Sequence, residues 1–291
     1  MSALLRWLSA LLALIPLPLQ HALGAFIGNL FALFPNRHRR ISLRNLALCF
    51  PEMSERERAR LLVLSLRETA KTVLETATMW RAGPGRLRGL IREVHGEALL
   101  RAAIEQGKGV IIASPHLGSW ELIGQYLVMQ HPLTSLYKPA ESAAVDQLMY
   151  AGRSHLGMQL APTDAAGVRI LLGALKRGEL IGILPDQDPR DGAGVFAPFF
   201  GIATNTMTLL PKLAARSGAP VLVAYAERLS WGRGYRIHLL PCEAEVNDRD
   251  EMRAATALNQ AVEAAIRQCP AQYQWSYKRF RSRPAGEPSL Y

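Results

Sequence analysis

Cysteine is scarce. Cys49, Cys242 and Cys269 are the three in 291 residues, far apart and without C-x-x-C spacing. An odd, scattered set excludes a disulfide framework and a thiolate zinc site, and leaves buried free thiols as the simplest state. Acidic residues are also short: 24 Asp and Glu stand against 34 Lys and Arg, a net charge of +10. That excess calls for an anionic partner, whether nucleic acid, a membrane surface or an acidic protein. Zinc-finger spacing, an RRM signature and a basic zipper are all missing, so composition does not favour nucleic acid. No internal repeat and no low-complexity linker divides the chain, which fits one domain plus a terminal segment.

The longest absence is one of charge. From Trp7 to Asn36 there is no Lys, Arg, Asp or Glu, a length that would span a bilayer, for which about 20 apolar residues suffice. Pro16 and Pro18 break its first half, and Gln20 and His21 follow at once. Two short helices lying in the interface therefore fit as well as one kinked span, with His21 at the interface. A cleaved signal peptide would use the small-x-small site Ala22-Leu23-Gly24, but apolar character resumes at Ala25. A buried hairpin of a soluble core is the plainest alternative. The cations Arg37, Arg39, Arg40 and Arg44, with His38, then suit anionic headgroups on the cytoplasmic side.

Beyond this segment, Ser54 to Glu57 forms a capping box, S-x-x-E, opening a long helix toward Trp80. From about residue 94 the pattern alternates. Strands are expected at 107–114, 133–139 and 179–185, and helices at 119–130, 142–155, 165–177 and 206–218, the last stopped by Gly218. A strand pair, 220–229 and 235–241, flanks the turn at 230–234, and a helix follows over 248–268. Alternating βα units predict an α/β fold, a mixed β-sheet flanked by helices, with the closing hairpin supplying the antiparallel pair.

Functional groups in such sheets collect at the carboxyl ends of strands. His116 stands at one, in "SPHLGSWE" directly after "GVIIA". Ser119 is placed to cap the next helix, which puts Glu121 in its first turn. On one continuous helix, side chains five apart diverge by about 140°. With His116 on the loop, the two can instead meet across the turn. A carboxylate on one ring nitrogen then leaves the other free as a general base. No serine or cysteine presents itself as a nucleophile, so the base would activate a substrate hydroxyl. The competing account is that Glu121 merely complements the helix dipole.

Other residues are candidates of lower rank. Arg153 suits a phosphate or a developing oxyanion, or else a surface ion pair. Asp186 could hold Arg153 or an acceptor sugar, and Gln187 offers amide hydrogen bonds; a turn-stabilising role is the alternative. Asp186, Asp188 and Asp191 before Gly192 miss the EF-hand spacing by one residue and have Ala197 where it needs Glu, so calcium is rejected. "VFAPFFG" (195–201) would place apolar surface near an acyl chain, or simply pack in the core. Lys138 is a weaker anion-binding candidate. The tail carries Lys278, Arg279, Arg281 and Arg283 between Tyr277 and Phe280, a patch for phosphorylated lipid or an acidic carrier protein as much as for nucleic acid. His131, His155 and His238 lack spaced ligand partners and read as structural.

Five ordered blocks carry a family resemblance: "RRISLRNLALCFPEMSERER" (39–58), "HLGSWE" (116–121), "YKP" (137–139), "LPDQDPRDGAGVFAPFFG" (184–201) and "QYQWSYKRFRSRPAGEPSLY" (272–291). Together with the apolar, basic N-terminus they resemble the bacterial lipid A late acyltransferases, the lauroyl/myristoyl transferase family. The resemblance implies a membrane anchor over 1–36 and an acyltransferase domain over 37–291 with a glycerolipid-acyltransferase-like fold. It implies transfer of a fatty acyl chain, of about lauroyl length, from acyl carrier protein to a hydroxyacyl group of a Kdo-lipid A precursor. The implied place is the cytoplasmic face of the cell inner membrane, an anionic surface, with no metal, no further cofactor and no nucleic acid. It also implies that His116 is the general base with Glu121 as its partner, and that Arg153 and Asp186 are functional. An acyltransferase acting on ornithine lipid, a glycolipid or lysophospholipid is the alternative within the fold, though glycerol-phosphate acyltransferases usually carry HxxxxD. A catalytically silent binder of anionic lipid is the alternative from another class.

Overall fold

The computed structural model describes residues 2–189 and 193–291; Asp191 and Gly192 of the rejected calcium loop lie outside them. Eleven helices are described: α1 Ser2–Leu14, α2 Leu17–Leu33, α3 Arg37–Cys49, α4 Glu55–Met79, α5 Pro84–Leu90, α6 Glu97–Glu105, α7 Trp120–Val128, α8 Ala143–Ser154, α9 Ala165–Lys176, α10 Leu209–Ser217 and α11 Glu251–Gln268. The strands are β1 Ile91–His95, β2 Val110–Ala113, β3 Leu133–Tyr137, β4 Gln159–Pro162, β5 Leu180–Ile183, β6 Gly194–Phe199, β7 Ile202–Met207, β8 Val221–Arg228 and β9 Tyr235–Pro241.

Seven strands form one sheet in the order β1-β9-β8-β2-β5-β3-β4. Every pairing is parallel except β8 with β9. The mixed sheet is therefore as expected, and its antiparallel pair is the closing hairpin. The alternation of side chains along each strand sorts the core into two layers. Ile111, Ala113, Val223 and Tyr225 point to the face covered by α3, α4 and α9 to α11, while Val110, Ile112, Leu222 and Ala224 point to the face covered by α6 and α7. Their short apolar runs are what strands covered on both faces require.

Two expectations need correction. Residues 206 and 207 close a strand instead of opening a helix, because β6 and β7 form a separate two-stranded hairpin across the turn at Phe200 and Gly201. That hairpin packs beside α11, where Asn259 donates to Pro198 O and to Thr206. The segment "VFAPFFG" is thus a strand and turn whose Phe199 belongs to the core. The capping box, in contrast, forms as its spacing demands: Ser54 Oγ accepts from the Glu57 N–H, and Glu57 accepts from the Ser54 N–H.

At the N-terminus, Pro16 divides the uncharged segment into α1 and α2, which meet at 116°. Among the described residues no single helix is long and apolar enough to cross a membrane. α2 lies along α4 with its polar and small residues inward. A Cβ on Gly24 or Gly28 would sit 2.8 Å from Lys71 Cα or 2.3 Å from Arg67 Cα, so only glycine permits this approach. Gln20 donates to Thr78, and the His21 Nε2–H donates to Glu75 at 2.8 Å. His21 is therefore buried against α4 and does not mark an interface.

Glu75 is the centre of a buried ionic cluster. It also accepts from Arg228 Nε at 2.8 Å and from the Tyr235 hydroxyl at 2.8 Å, and both Glu75 and Arg228 are almost fully buried. Burial works against its ionisation, but Arg228 and His21 outweigh that and hold the carboxyl well below its usual range. A carboxyl depressed in the folded state adds stability that is complete above its unfolded pKa and is lost as pH falls through the folded one. Stability followed by circular dichroism is accordingly expected to hold from neutral pH to roughly pH 5 and to decline below that. Glu75→Gln is expected to cost about 3–5 kcal/mol at neutral pH, by leaving the buried Arg228 with only the more distant Glu68 carboxylate, and to flatten that acid slope.

Candidate active site

β2 and β5 are adjacent and parallel, so the loops leaving their carboxyl ends face each other. His116 comes from the first loop and Asp186 from the second. The Nδ1–H of His116 donates to Asp186 Oδ1 at 2.8 Å, and the His116 backbone N–H donates to Oδ2 at 2.9 Å. An ionised carboxylate only accepts, so this pair places the ring hydrogen on Nδ1 and leaves Nε2 as the basic nitrogen. Nε2 accepts from the side-chain amide of Gln187 at 3.1 Å. Burial raises the Asp186 carboxyl, but His116, through charge and hydrogen bonds, and then Arg279 bring it below its ordinary value. The edge of Trp120 meets the His116 ring, centroids 5.0 Å apart.

Glu121 does stand in the first turn of α7, yet its partner is not His116. Oε1 and Oε2 accept from Arg153 Nη2 and Nε, and Oε2 also accepts from Trp80 Nε1–H at 2.7 Å. Burial opposes its charge, and Arg153 more than compensates, so the carboxyl lies below its usual range. The expected His116–Glu121 pair and the expected Asp186–Arg153 pair are therefore exchanged. The reason is local. Gly118 turns the loop at φ +62°, where a Cβ would lie 2.0 Å from Ala226 O, and this sends α7 away while the His116 ring stays over the end of β5.

Ser119 occupies the N-cap position but makes no side-chain cap bond. Its N–H donates to Ala226 O, the Gly118 N–H donates to Gln272 O, and the Gln274 N–H donates to His116 O. The loop is thus stitched to β8 and to the C-terminal segment. Arg228 Nη2 donates to Gly118 O at 2.8 Å, joining the same loop to Glu75. No motif signals Trp80 or Arg228, each far away in the chain, and Gln272 opens the C-terminal block without any sign of its partner.

Beside the Glu121–Arg153 pair opens a small cavity of about 40 Å³ between α7 and the sheet. Ser114, Trp120 and Arg153 line it together with Ile123, Leu133 and Met158. Met158 closes in on Gly124, where a Cβ would meet its Cε at 2.6 Å. The arrangement places a histidine, an ion pair and an apolar cavity side by side, with Trp120 touching both the His116 ring and the cavity.

Lys138 follows β3 at the same end of the sheet, exposed, and touches none of the other candidates through a hydrogen bond. Its neighbour Tyr137 meets Arg153 without a hydrogen bond, the guanidinium lying 5.8 Å from the centre of that ring. Part of the basic tail is structural. Arg279 is buried and donates to Asn205 O and Thr206, and Arg283 donates to Ala203 O. Asp188 accepts from Asn205 and Ser282 and fastens the tail to β7. Among the described residues no cluster of His, Cys, Asp and Glu could hold a metal ion.

With this geometry in place, similarity to known proteins is decisive. Residues 3–282 match the family described as bacterial lipid A biosynthesis acyltransferase. The chain belongs to that family. It is 33% identical over 294 residues to the lipid A biosynthesis lauroyltransferase of Escherichia coli K12, covering 99% of this chain and 94% of the relative. It is also 33% identical to that organism's lipid A biosynthesis palmitoleoyltransferase, over 95% and 90% of the two chains. A lipid A biosynthesis acyltransferase of Haemophilus influenzae Rd is 30% identical over 95% and 89%. The protein is an acyltransferase, with the mixed α/β fold described above.

Exchange of partners makes a testable distinction. Asp186→Asn keeps the shape but favours the wrong ring tautomer, and is expected to lower kcat about 10³- to 10⁴-fold with little change in KM. Glu121→Gln leaves His116 oriented and loosens Arg153, so a smaller loss in kcat is expected. Steady-state kinetics of the two variants across pH would reveal it, and a larger loss in Glu121→Gln would reverse the assignment.

Proposed function

We propose that the protein moves a fatty acyl chain from an acyl carrier protein thioester to a hydroxyacyl group of a Kdo-bearing lipid A precursor, at the cytoplasmic face of the inner membrane. What supports this most directly is the unprotonated Nε2 of His116, backed by Asp186 and separated from the apolar cavity only by Trp120. The names of the relatives supply the lipid A class. A lauroyl-length donor follows the first of them, and the carrier protein suits the basic surface.

In this mechanism the acceptor hydroxyl displaces the Gln187 amide from Nε2. It loses its proton to that nitrogen as its oxygen attacks the thioester carbonyl. Asp186 stabilises the imidazolium so formed. Arg153 is clamped through Nε and Nη2 by Glu121, and its Nη1, without a hydrogen-bond partner among the described residues, faces the developing oxyanion. Collapse breaks the C–S bond, and the carrier thiolate recovers the proton from the imidazolium. No covalent enzyme intermediate and no metal enters. The apolar side chains of Ile123, Leu133 and Met158 face the acyl chain, while Lys138 meets an anionic group of the acceptor.

Mass spectrometry of the detergent-solubilised enzyme tests the reaction. Offered a ladder of carrier thioesters and a Kdo-bearing tetra-acylated precursor, it is expected to add one acyl chain. His116→Ala should lose about 10³-fold or more. Acylation of phospholipid or ornithine lipid in place of the precursor would overturn the acceptor. Full activity of His116→Ala would overturn the base.

A further inference from the structure

The faces of α1 and α2 turned away from the body are apolar along their whole length. On α1, Leu4, Leu11 and Leu14 with Trp7 stand exposed at helical spacing; on α2 the same is true of Leu19, Leu23, Phe26, Leu30 and Leu33. The buried side of α2 is the polar one, with Gln20 and His21 among the residues turned inward. This inverts the ordinary amphipathic helix of a soluble protein. At about 20 and 25 Å in length, neither helix reaches across a hydrocarbon core of about 30 Å. Nor can α2 stand upright in one. It is fastened along α4, whose Arg67, Glu68 and Lys71 would be dragged into hydrocarbon with it.

A second feature adjoins the elbow between the helices. In the β8–β9 turn, Trp231 is 90% exposed and holds a left-handed backbone, φ +62°, which a bulky side chain rarely adopts. The turn is fixed there by contact with the start of α2: a Cβ on Gly232 would lie 2.4 Å from Pro18 Cα. The Leu229 N–H donates to Gly234 O across its base. Strain is thus maintained to hold a tryptophan outward beside the apolar elbow. Around it are exposed cations: Arg233 on the turn, Arg92, which donates to Arg233 O, and Arg86, which donates to Ala13 O. None of the three has a carboxylate within ion-pair distance among the described residues.

We propose that α1, α2 and the Trp231 turn form one in-plane platform on an anionic bilayer, with Trp231 as a third point of insertion. The inference rests on the membrane placement proposed above and adds its geometry. Tryptophan prefers the headgroup level, and the unpaired arginines meet the phosphates there. The two helices lie at the acyl boundary, and α4 with its charges stays outside.

Full-length protein and Trp231→Phe would be added to phosphatidylcholine/phosphatidylglycerol vesicles with bromine on the acyl chains. The part of the emission contributed by Trp231 is expected to be quenched on binding, most strongly by shallow bromines. Trp231→Ser should weaken sedimentation with the anionic vesicles about tenfold, while acyl transfer in detergent stays at the wild-type rate. Unquenched Trp231 in vesicle-bound protein would overturn the third point. If Leu23→Asp/Phe26→Asp releases the protein but Trp231→Ser binds like wild type, the Trp231 contact fails and the membrane placement stands. If both variants bind like wild type, the platform is wrong. Wild-type protein that ignores vesicles and sediments as a dimer would assign the face to a second copy and sink the membrane placement too.

Discussion

One buried carboxylate, Glu75, holds four parts of this molecule in register. It accepts from His21 on α2, from Arg228 at the end of β8 and from Tyr235 on β9, while itself standing on α4. Arg228 passes the connection on to the carbonyl of Gly118, inside the loop that carries His116. Charges this deep are costly unless each is paired and hydrogen-bonded. Here the geometry satisfies them only when α2, the sheet and the loop of His116 occupy their observed places together. The apolar N-terminal helices are thus tied to that loop through two buried charges and one backbone carbonyl.

Within the site, two ion pairs divide the work. Asp186 holds His116 through both backbone and ring, which fixes the loop and the tautomer in one contact. Glu121 holds Arg153 and is held in turn by Trp80. Of the two acidic residues, the one five positions from the histidine governs the cation, and the one seventy positions away governs the base. Neighbouring parallel strands make that possible, since their loops emerge side by side however far apart they lie in the chain.

Much of this was legible beforehand. Alternating apolar runs announced β2, β5 and α7, and "SWGRG" announced the β8–β9 turn. His116, Asp186 and Gln187 meet at one end of the sheet, as their strand-end positions implied, and Glu121 and Arg153 reach the same end from α7 and α8. Their pairing was not legible, because spacing describes only local approach and both true pairs are long-range. The β6–β7 hairpin was missed for a related reason. "IATNTM" carries no alternation strong enough to outweigh the helical pattern that follows it, and only α11 gives it a surface to pack on. His21 misled because a lone polar residue in an apolar stretch looks the same whether it meets headgroups or a buried glutamate.

The stitching of the catalytic loop to the C-terminal segment has a consequence for the order of assembly. Gly118 and His116 reach their final backbone partners only when Gln272 and Gln274 are present, and Tyr291 closes onto Asn45 on α3. During synthesis the chain emerges from its N-terminus, so α1 and α2 are available long before those residues exist. The nascent chain therefore exposes its apolar helices well before the loop bearing His116 has the C-terminal backbone partners that hold it.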